Sequence, residues 1–195
     1  MAFALVYFFP SESTQVQSVC THDIDFSIFD FSWVEMATVD ASTIQWECLP
    51  FHALTVTALY DIMQVRARVF VVEQQCIWNE VDGVDKVCWH VVGRAADDSI
   101  VAYARLIPAL AKGLKQPRPI ISRIVVPPEA RGGGLGKLLV VKAIEECKKL
   151  WPKHVIEIGA QARLEVFYTG LGFRTVSEPY DEDGIMHVDM LYEDV

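Results

Sequence analysis

Apolar and polar positions alternate with different periods along the chain, and each change of period marks an element. Leu54, Ala58, Leu59, Ile62, Val65, Val69 and Phe70 recur at helical spacing, which predicts an amphipathic helix over Leu54–Val72. Ile44–Leu49 before it is a short strand candidate. Cys88–Gly93 and Ile100–Ile107 read as strands separated by the turn Ala96-Asp97-Asp98-Ser99. Pro108–Pro119 is a loop, and Ile120–Val126 is a strand stopped by Pro127-Pro128, because proline has no N–H for a ladder. Leu135–Trp151 is a helix followed by Pro152, and Val155–Ala160 is a strand. Leu164–Leu171 is a short helix ended by Gly172. Phe173–Val176 and Met186–Leu191 form a closing pair of strands around Asp181-Glu182-Asp183-Gly184. This order predicts an α/β protein with one mixed sheet and helices packed on it.

Residues 1–42 show neither period. They read as an N-terminal extension, poorly structured or docked in part through Phe26, Phe29, Phe31 and Trp33, ahead of one domain over residues 43–195. Met36, followed by Ala-Thr-Val-Asp, is a plausible alternative translation start. An intact mass that begins before Met36 would remove that idea.

Composition narrows the class. The chain has 195 residues, 52% apolar and 22% charged, which excludes a mainly disordered protein. A net charge of -9 argues against a nucleic-acid partner, which needs a basic face. The five cysteines include no CxxC pair and the histidines no paired ligand spacing, so no metal is expected. No apolar run reaches the ~18–20 residues of a membrane span. The first basic residue is Arg66, which is unlike a mitochondrial leader, and a cytoplasmic location is expected. Charge is uneven: residues 1–65 hold eight acids and no Lys or Arg, whereas residues 112–153 hold ten basic residues and three acids. The basic segment suits an anion or a solvated helix face.

The informative stretch lies inside that segment. Arg131-Gly132-Gly133-Gly134-Leu135-Gly136 follows a strand and opens a helix. Such a turn presents free backbone N–H groups and the positive end of a helix dipole, with Arg131 beside them. This is chemistry for a phosphate or pyrophosphate, although a purely connecting turn is the bland alternative. A nucleotide-triphosphate loop would need Gly at Arg131 and Ser or Thr at Leu138, and a dinucleotide loop would need Gly at Lys137. Both patterns fail.

The stretch does match (Arg/Gln)-x-x-Gly-x-(Gly/Ala), as Arg131-x-x-Gly134-x-Gly136. Here the chain resembles the GNAT family of acetyl-CoA-dependent N-acetyltransferases over about residues 43–195. Within that family it is most similar to the small ElaA-type proteins. That finer resemblance rests on Val69–Gln74, Asp82-Gly83-Val84-Asp85, Ala102–Leu106, Ala160-Gln161-Ala162 and Glu182-Asp183-Gly184-Ile185-x-His187. It implies a centrally splayed sheet whose strand Ile120–Val126 diverges from Val155–Ala160. Acetyl-CoA would lie in the gap, bonded to the backbone at Ile124, Val125 and Val126. Its pyrophosphate would sit on Arg131, Gly132, Gly133, Gly134, Leu135, Gly136 and Lys137. A backbone N–H near Val126 would polarise the thioester carbonyl.

Transfer to an amine needs a base for the amine and an acid for the departing thiolate. The resemblance places Tyr168 as the acid. Glu73 is the favoured base, with Glu157, His90 and water as alternatives. Glu80 and Asp82, near Asp85, are expected to hold a cationic acceptor, and Gln161 to hydrogen-bond the acceptor or the pantetheine. Tyr180 and His187 would close one wall. Direct transfer in a ternary complex is expected, to a small-molecule or protein amine. An acyl-CoA-binding sensor with little turnover is the alternative, and transfer of a longer acyl group is a third. The oligomeric state, a homodimer included, stays open.

Overall fold

One strand junction organises the molecule. The computed structural model describes residues 40–76 and 78–193, all within the unit Met36–Val195. The extension, Cys20 and the Met36 start lie outside the described residues, apart from the last few residues of the extension. Eight strands form one mixed sheet: β1 (Gln45–Pro50), β2 (Trp89–Arg94), β3 (Ile100–Ile107), β4 (Ile120–Val125), β5 (Ile156–Gln161), β6 (Phe173–Thr175), β7 (Tyr180–Glu182) and β8 (Ile185–Tyr192). The order is β1-β2-β3-β4-β5-β8-β6, with β7 also paired to β8. Every pairing is antiparallel except β4 with β5, which is parallel and meets at one register pair, Ile120 with Glu157.

A bulge in β4 accompanies that parting. Tyr103 faces Val125 and Arg105 faces Ser122, so Arg123 and Ile124 together lie opposite Ala104. Arg123 takes φ 53°, a left-handed conformation uncommon outside glycine. Bulges bend a strand and re-aim its side chains.

Both faces of the sheet are covered, which is why all eight residues of β3 are buried. Helix α2 (Leu135–Leu150) lays Leu135, Leu139, Val140 and Ala143 on one face, against Ile156, Ile158, Val188 and Met190. On the other face, Ile62 and Val69 pack with Val92, Tyr103 and Val125. The predicted helix to Val72 is two pieces: α1 (Val56–Arg66), then wider π turns over Ala67–Glu73. Thr55 caps α1 by accepting from Ala58 N at 3.0 Å. The wider turns keep Val69 in the core and turn Phe70 and Gln74 towards the cavity described below.

The C-terminal pair also differs from expectation. β6 and β8 do pair, but the tight turn at Asp183-Gly184 joins β8 to β7. Tyr180-Asp181-Glu182 has no apolar alternation to announce a strand. The short helix α3 covers Glu165–Thr169, after a 3-10 turn at Ala162–Leu164. Among the described residues no helix is long and apolar enough to cross a membrane.

Candidate active site

The glycine loop has the shape its sequence suggests. Gly132, Gly133 and Gly134 all have positive φ, at 104°, 55° and 80°. Nothing lies within 4 Å of where their Cβ atoms would be, so backbone conformation rather than crowding requires glycine. No side chain caps α2, whose first turn therefore keeps unpaired N–H groups. Leu135 is buried beneath the loop, while Arg131 and Lys137 are exposed beside it. The arrangement suits an anionic diphosphate.

Beyond the loop, the parted strands open a cavity of about 350 Å³. Period-two alternation decides what faces it. Glu157, Gly159 and Gln161 of β5 and Ile185, His187 and Asp189 of β8 line it, while Ile156, Ile158, Val188 and Met190 point into the α2 layer. Tyr168 of α3 packs within the α2 layer, yet it lines the same cavity. The cavity thus meets Tyr168 from the α2 layer as well as His187 and Asp189, which alternate with the α2-facing residues of β8.

Tyr168 is 7% exposed and packs edge-on against Phe167 and Phe173. Burial pushes its phenol up to about 12, so it stays protonated near neutrality. Among the described residues no hydrogen bond engages its hydroxyl. Gln161 lines the cavity with both ends of its amide engaged: Nε2 donates to Gln74 Oε1 at 3.3 Å, and Oε1 accepts from Arg163 Nε at 3.0 Å. Ile124 lines the cavity, Val125 is buried in the layer beneath α1, and Val126 O accepts from Arg131 Nε at 3.0 Å.

Glu73 and Arg131 are brought together by the fold. Arg131 Nη1 and Nη2 donate to the two carboxylate oxygens at 2.7 and 2.8 Å. These hydrogen bonds hold the Glu73 carboxyl below its usual range. Glu73 lines a neighbouring pocket with Gly184 and Met186, and not this cavity.

Glu80 and Asp82 lie in an ion network rather than on the cavity wall. Arg66 pairs with Glu80 at 2.5 Å and with Asp85 at 2.7 Å. Arg105 pairs with Asp82 at 2.8 Å and with Asp85 at 3.0 Å, and Arg123 with Glu80 at 2.8 Å. Burial opposes ionisation of Asp82, but hydrogen bonds from Arg105 and the Val84 N–H outweigh it and bring the carboxyl down to about 2. Asp85 is lowered likewise, against its burial, by Arg66 and Arg105. Arg123 also lies 4.0 Å from the centre of the Trp78 ring, and both residues line the cavity. His90 is buried with both ring nitrogens engaged, on the Tyr103 hydroxyl at 2.8 Å and Asp85 O at 3.3 Å.

Two wall residues carried no sequence motif. Asp189 accepts from the Tyr180 hydroxyl at 2.8 Å. Gly159 lies close under that hydroxyl, where a Cβ would sit 3.4 Å from it. Glu157 accepts from Arg118 Nη1 at 3.1 Å. The alternation of Ile185, His187 and Asp189 with Met186, Val188 and Met190 is the signal that would have placed Asp189 on the wall.

A splayed parallel pair, a glycine loop with three positive φ angles and a cavity between the parted strands form one constellation. Residues 66–193 match the acetyltransferase (GNAT) domain family. The chain belongs to the GNAT acetyltransferase family. It is 39% identical over 153 residues to protein ElaA of Escherichia coli K12, covering 77% of this chain and 97% of that protein. A UPF0039 protein of Synechocystis is 37% identical over 149 residues, covering 76% and 95%. The crystal structure of Escherichia coli ElaA matches with a TM-score of 0.69 at 36% identity, over 77% of this chain and 99% of that one. An acyl-CoA N-acyltransferase from Pseudomonas aeruginosa matches with a TM-score of 0.69 at 35% identity, over 76% and 99%. GNAT membership makes the protein an acyltransferase of the acyl-CoA-using class.

Proposed function

We propose that this GNAT protein transfers the acetyl group of acetyl-CoA to a primary amine by direct attack in a ternary complex. One observation carries the reading: the cavity between β4 and β5 is lined both by Tyr168, which packs in the α2 layer, and by the polar residues Gln161, His187 and Asp189 of the parted strands. Two substrates can then meet end to end without a covalent enzyme intermediate, which fixes their approach geometry. The donor's diphosphate lies on the amides of Arg131–Lys137, and its arm pairs with the free edge at Ile124, Val125 and Val126 as an added strand would. Tyr168 holds its proton and gives it to the departing thiolate.

The acceptor enters from the face of His187, Gln161 and Asp189. A small-molecule amine and a protein amine both fit a reaction that needs only the amine tip inside. Glu80 and Asp82 act in this reading through the ion network that holds the acceptor-side loop, rather than by touching the amine. Glu73 acts through Arg131, because a carboxylate doubly bonded to a guanidinium is a poor proton acceptor. The protein works in the cytoplasm, where acetyl-CoA is available.

Thermal unfolding with acetyl-CoA, against ATP and NAD as controls, tests the donor site. Ligand at a hundred times its dissociation constant adds ~2.7 kcal/mol of stability. A rise in melting temperature with acetyl-CoA alone is expected. Equal responses to all three ligands, or none, would remove the donor assignment.

A further inference from the structure

The reaction needs a base on the acceptor side, and apart from the solvent-exposed carboxylates of Glu182 and Asp183 at its rim the cavity offers few free ones. Glu157 is held by Arg118, Asp189 by the Tyr180 hydroxyl and Glu73 by Arg131. The Cys76 thiol lies 3.7 Å from Asp183 O, and both nitrogens of His90 are engaged. His187 is different. Its Nδ1 lies 2.8 Å from Ile185 O. A carbonyl oxygen can only accept, so Nδ1 carries the proton. In the neutral ring the lone pair is then on Nε2.

That lone pair is accessible. Among the described residues no hydrogen bond engages Nε2. The only buried side-chain nitrogen or oxygen atoms without partners there are Asp85 Oδ2 and Arg123 Nη2. His187 lines the cavity and its side chain is 14% exposed, so Nε2 is open to the gap. The ring is fixed on two sides. It stacks on Tyr180 with ring centres 6.1 Å apart and 26° between planes, and the Nδ1 anchor sets its rotation.

We infer that His187 is the catalytic base of this site and takes the acceptor amine's proton on Nε2; the inference rests on the acetyl-transfer reading above. The two proton tasks then fall on different walls of the cavity. The amine nitrogen attacks the thioester carbonyl carbon, a C–N bond forms and the C–S bond breaks. The nitrogen's surplus proton passes to His187 Nε2, and the thiolate takes its proton from the Tyr168 hydroxyl. The products are the amide and the free thiol. His187 returns its proton to water, and Tyr168 regains one from water.

The charged and titratable groups that share the cavity with the ring are Tyr180 and Glu182 of β7, Asp183 of the turn, Asp189 of β8, Glu157 of β5, and Cys76, Lys112, Arg123 and Arg163 from other elements. Glu182 Oε2 lies 3.9 Å from Nδ1.

The test uses the full chain as wild type, H187Q, H187A and E73Q, each first checked by thermal unfolding with acetyl-CoA. Thiol release from acetyl-CoA is then followed across pH with a defined mixture of ethylamine, histamine, spermidine and alanyl-glycine. H187Q should keep the acetyl-CoA shift, lose ~10²–10⁴-fold in kcat and lose the acid limb of the pH profile. Added imidazole should restore part of the H187A rate, which a merely structural histidine would not allow. H187Q with the wild-type rate and acid limb, or E73Q losing that limb instead, overturns the assignment. A wild type that binds acetyl-CoA yet releases no thiol with the mixture overturns the transfer reading, and His187 with it. A wild type unmoved by acetyl-CoA overturns the donor site.

Discussion

Two arginine–carboxylate assemblies flank the site, and they have opposite settings. Arg66, Arg105 and Arg123 with Glu80, Asp82 and Asp85 form a largely buried, charge-balanced group beside the bulge in β4. Arg131 and Glu73 form a bidentate pair that is close to half exposed. The bond lengths are alike, but the surroundings are not. Removing one member of a buried pair strands a charge without water, whereas an exposed pair exchanges its partner for water at little cost. The first assembly therefore fixes shape. The second holds Arg131 at the surface beside the glycine loop, where an anion could displace Glu73 without stranding a buried charge.

The largest effect should come from the buried side. Arg105→Ala is expected to cost about 3–5 kcal/mol of stability, read by denaturant unfolding, because Asp82 and Asp85 lose their shared partner. Loss of under 1 kcal/mol would erase the contrast. Arg131→Ala should leave the melting temperature nearly unchanged and weaken acetyl-CoA binding. A charge-assisted contact worth about 1.5–3 kcal/mol corresponds to roughly 10–150-fold in Kd by calorimetry. Unchanged affinity would detach Arg131 from the donor.

Acid should separate the assemblies next. Asp82 has a folded value of about 2 against an ordinary 3.8, so its stabilising contribution is complete above 3.8 and is lost as pH falls towards about 2. The melting temperature should decline across that window, and less so in Asp82→Asn. A decline as steep in the variant would place the acid sensitivity elsewhere. The smallest effect is expected from Glu73→Gln. It should change stability by about 0–1 kcal/mol while tightening acetyl-CoA up to about fivefold, as the guanidinium loses its competitor. Weaker binding in this variant would mean that Glu73 aligns Arg131 for the donor rather than competing with it.

Local chemistry was legible in the chain, and pairing across distance was not. The glycine loop could be read because positive φ demands a residue type, and the element order could be read because each period is local. The π turns after Arg66 were hidden because a wider turn leaves the apolar count almost unaltered. Glu80 and Asp82 looked like acceptor ligands because a sequence displays acids without their partners. Arg66, Arg105 and Arg123 reach them from α1, β3 and β4, elements far apart in the chain. The Glu73–Arg131 pair was hidden for the same reason. His187 was visible as a wall residue, but its tautomer depends on the carbonyl of Ile185, and a sequence does not show which way the ring turns.

The parting of β4 and β5 also bears on traffic. A one-mouthed pocket must empty in the reverse order of filling, and its depth limits how large a substrate can be. In the proposed reaction, with the donor on the glycine-loop side and the acceptor on the side of His187 and Asp189, both limits would fall away: each product would leave from its own side, and only the amine tip of the acceptor would have to be slender.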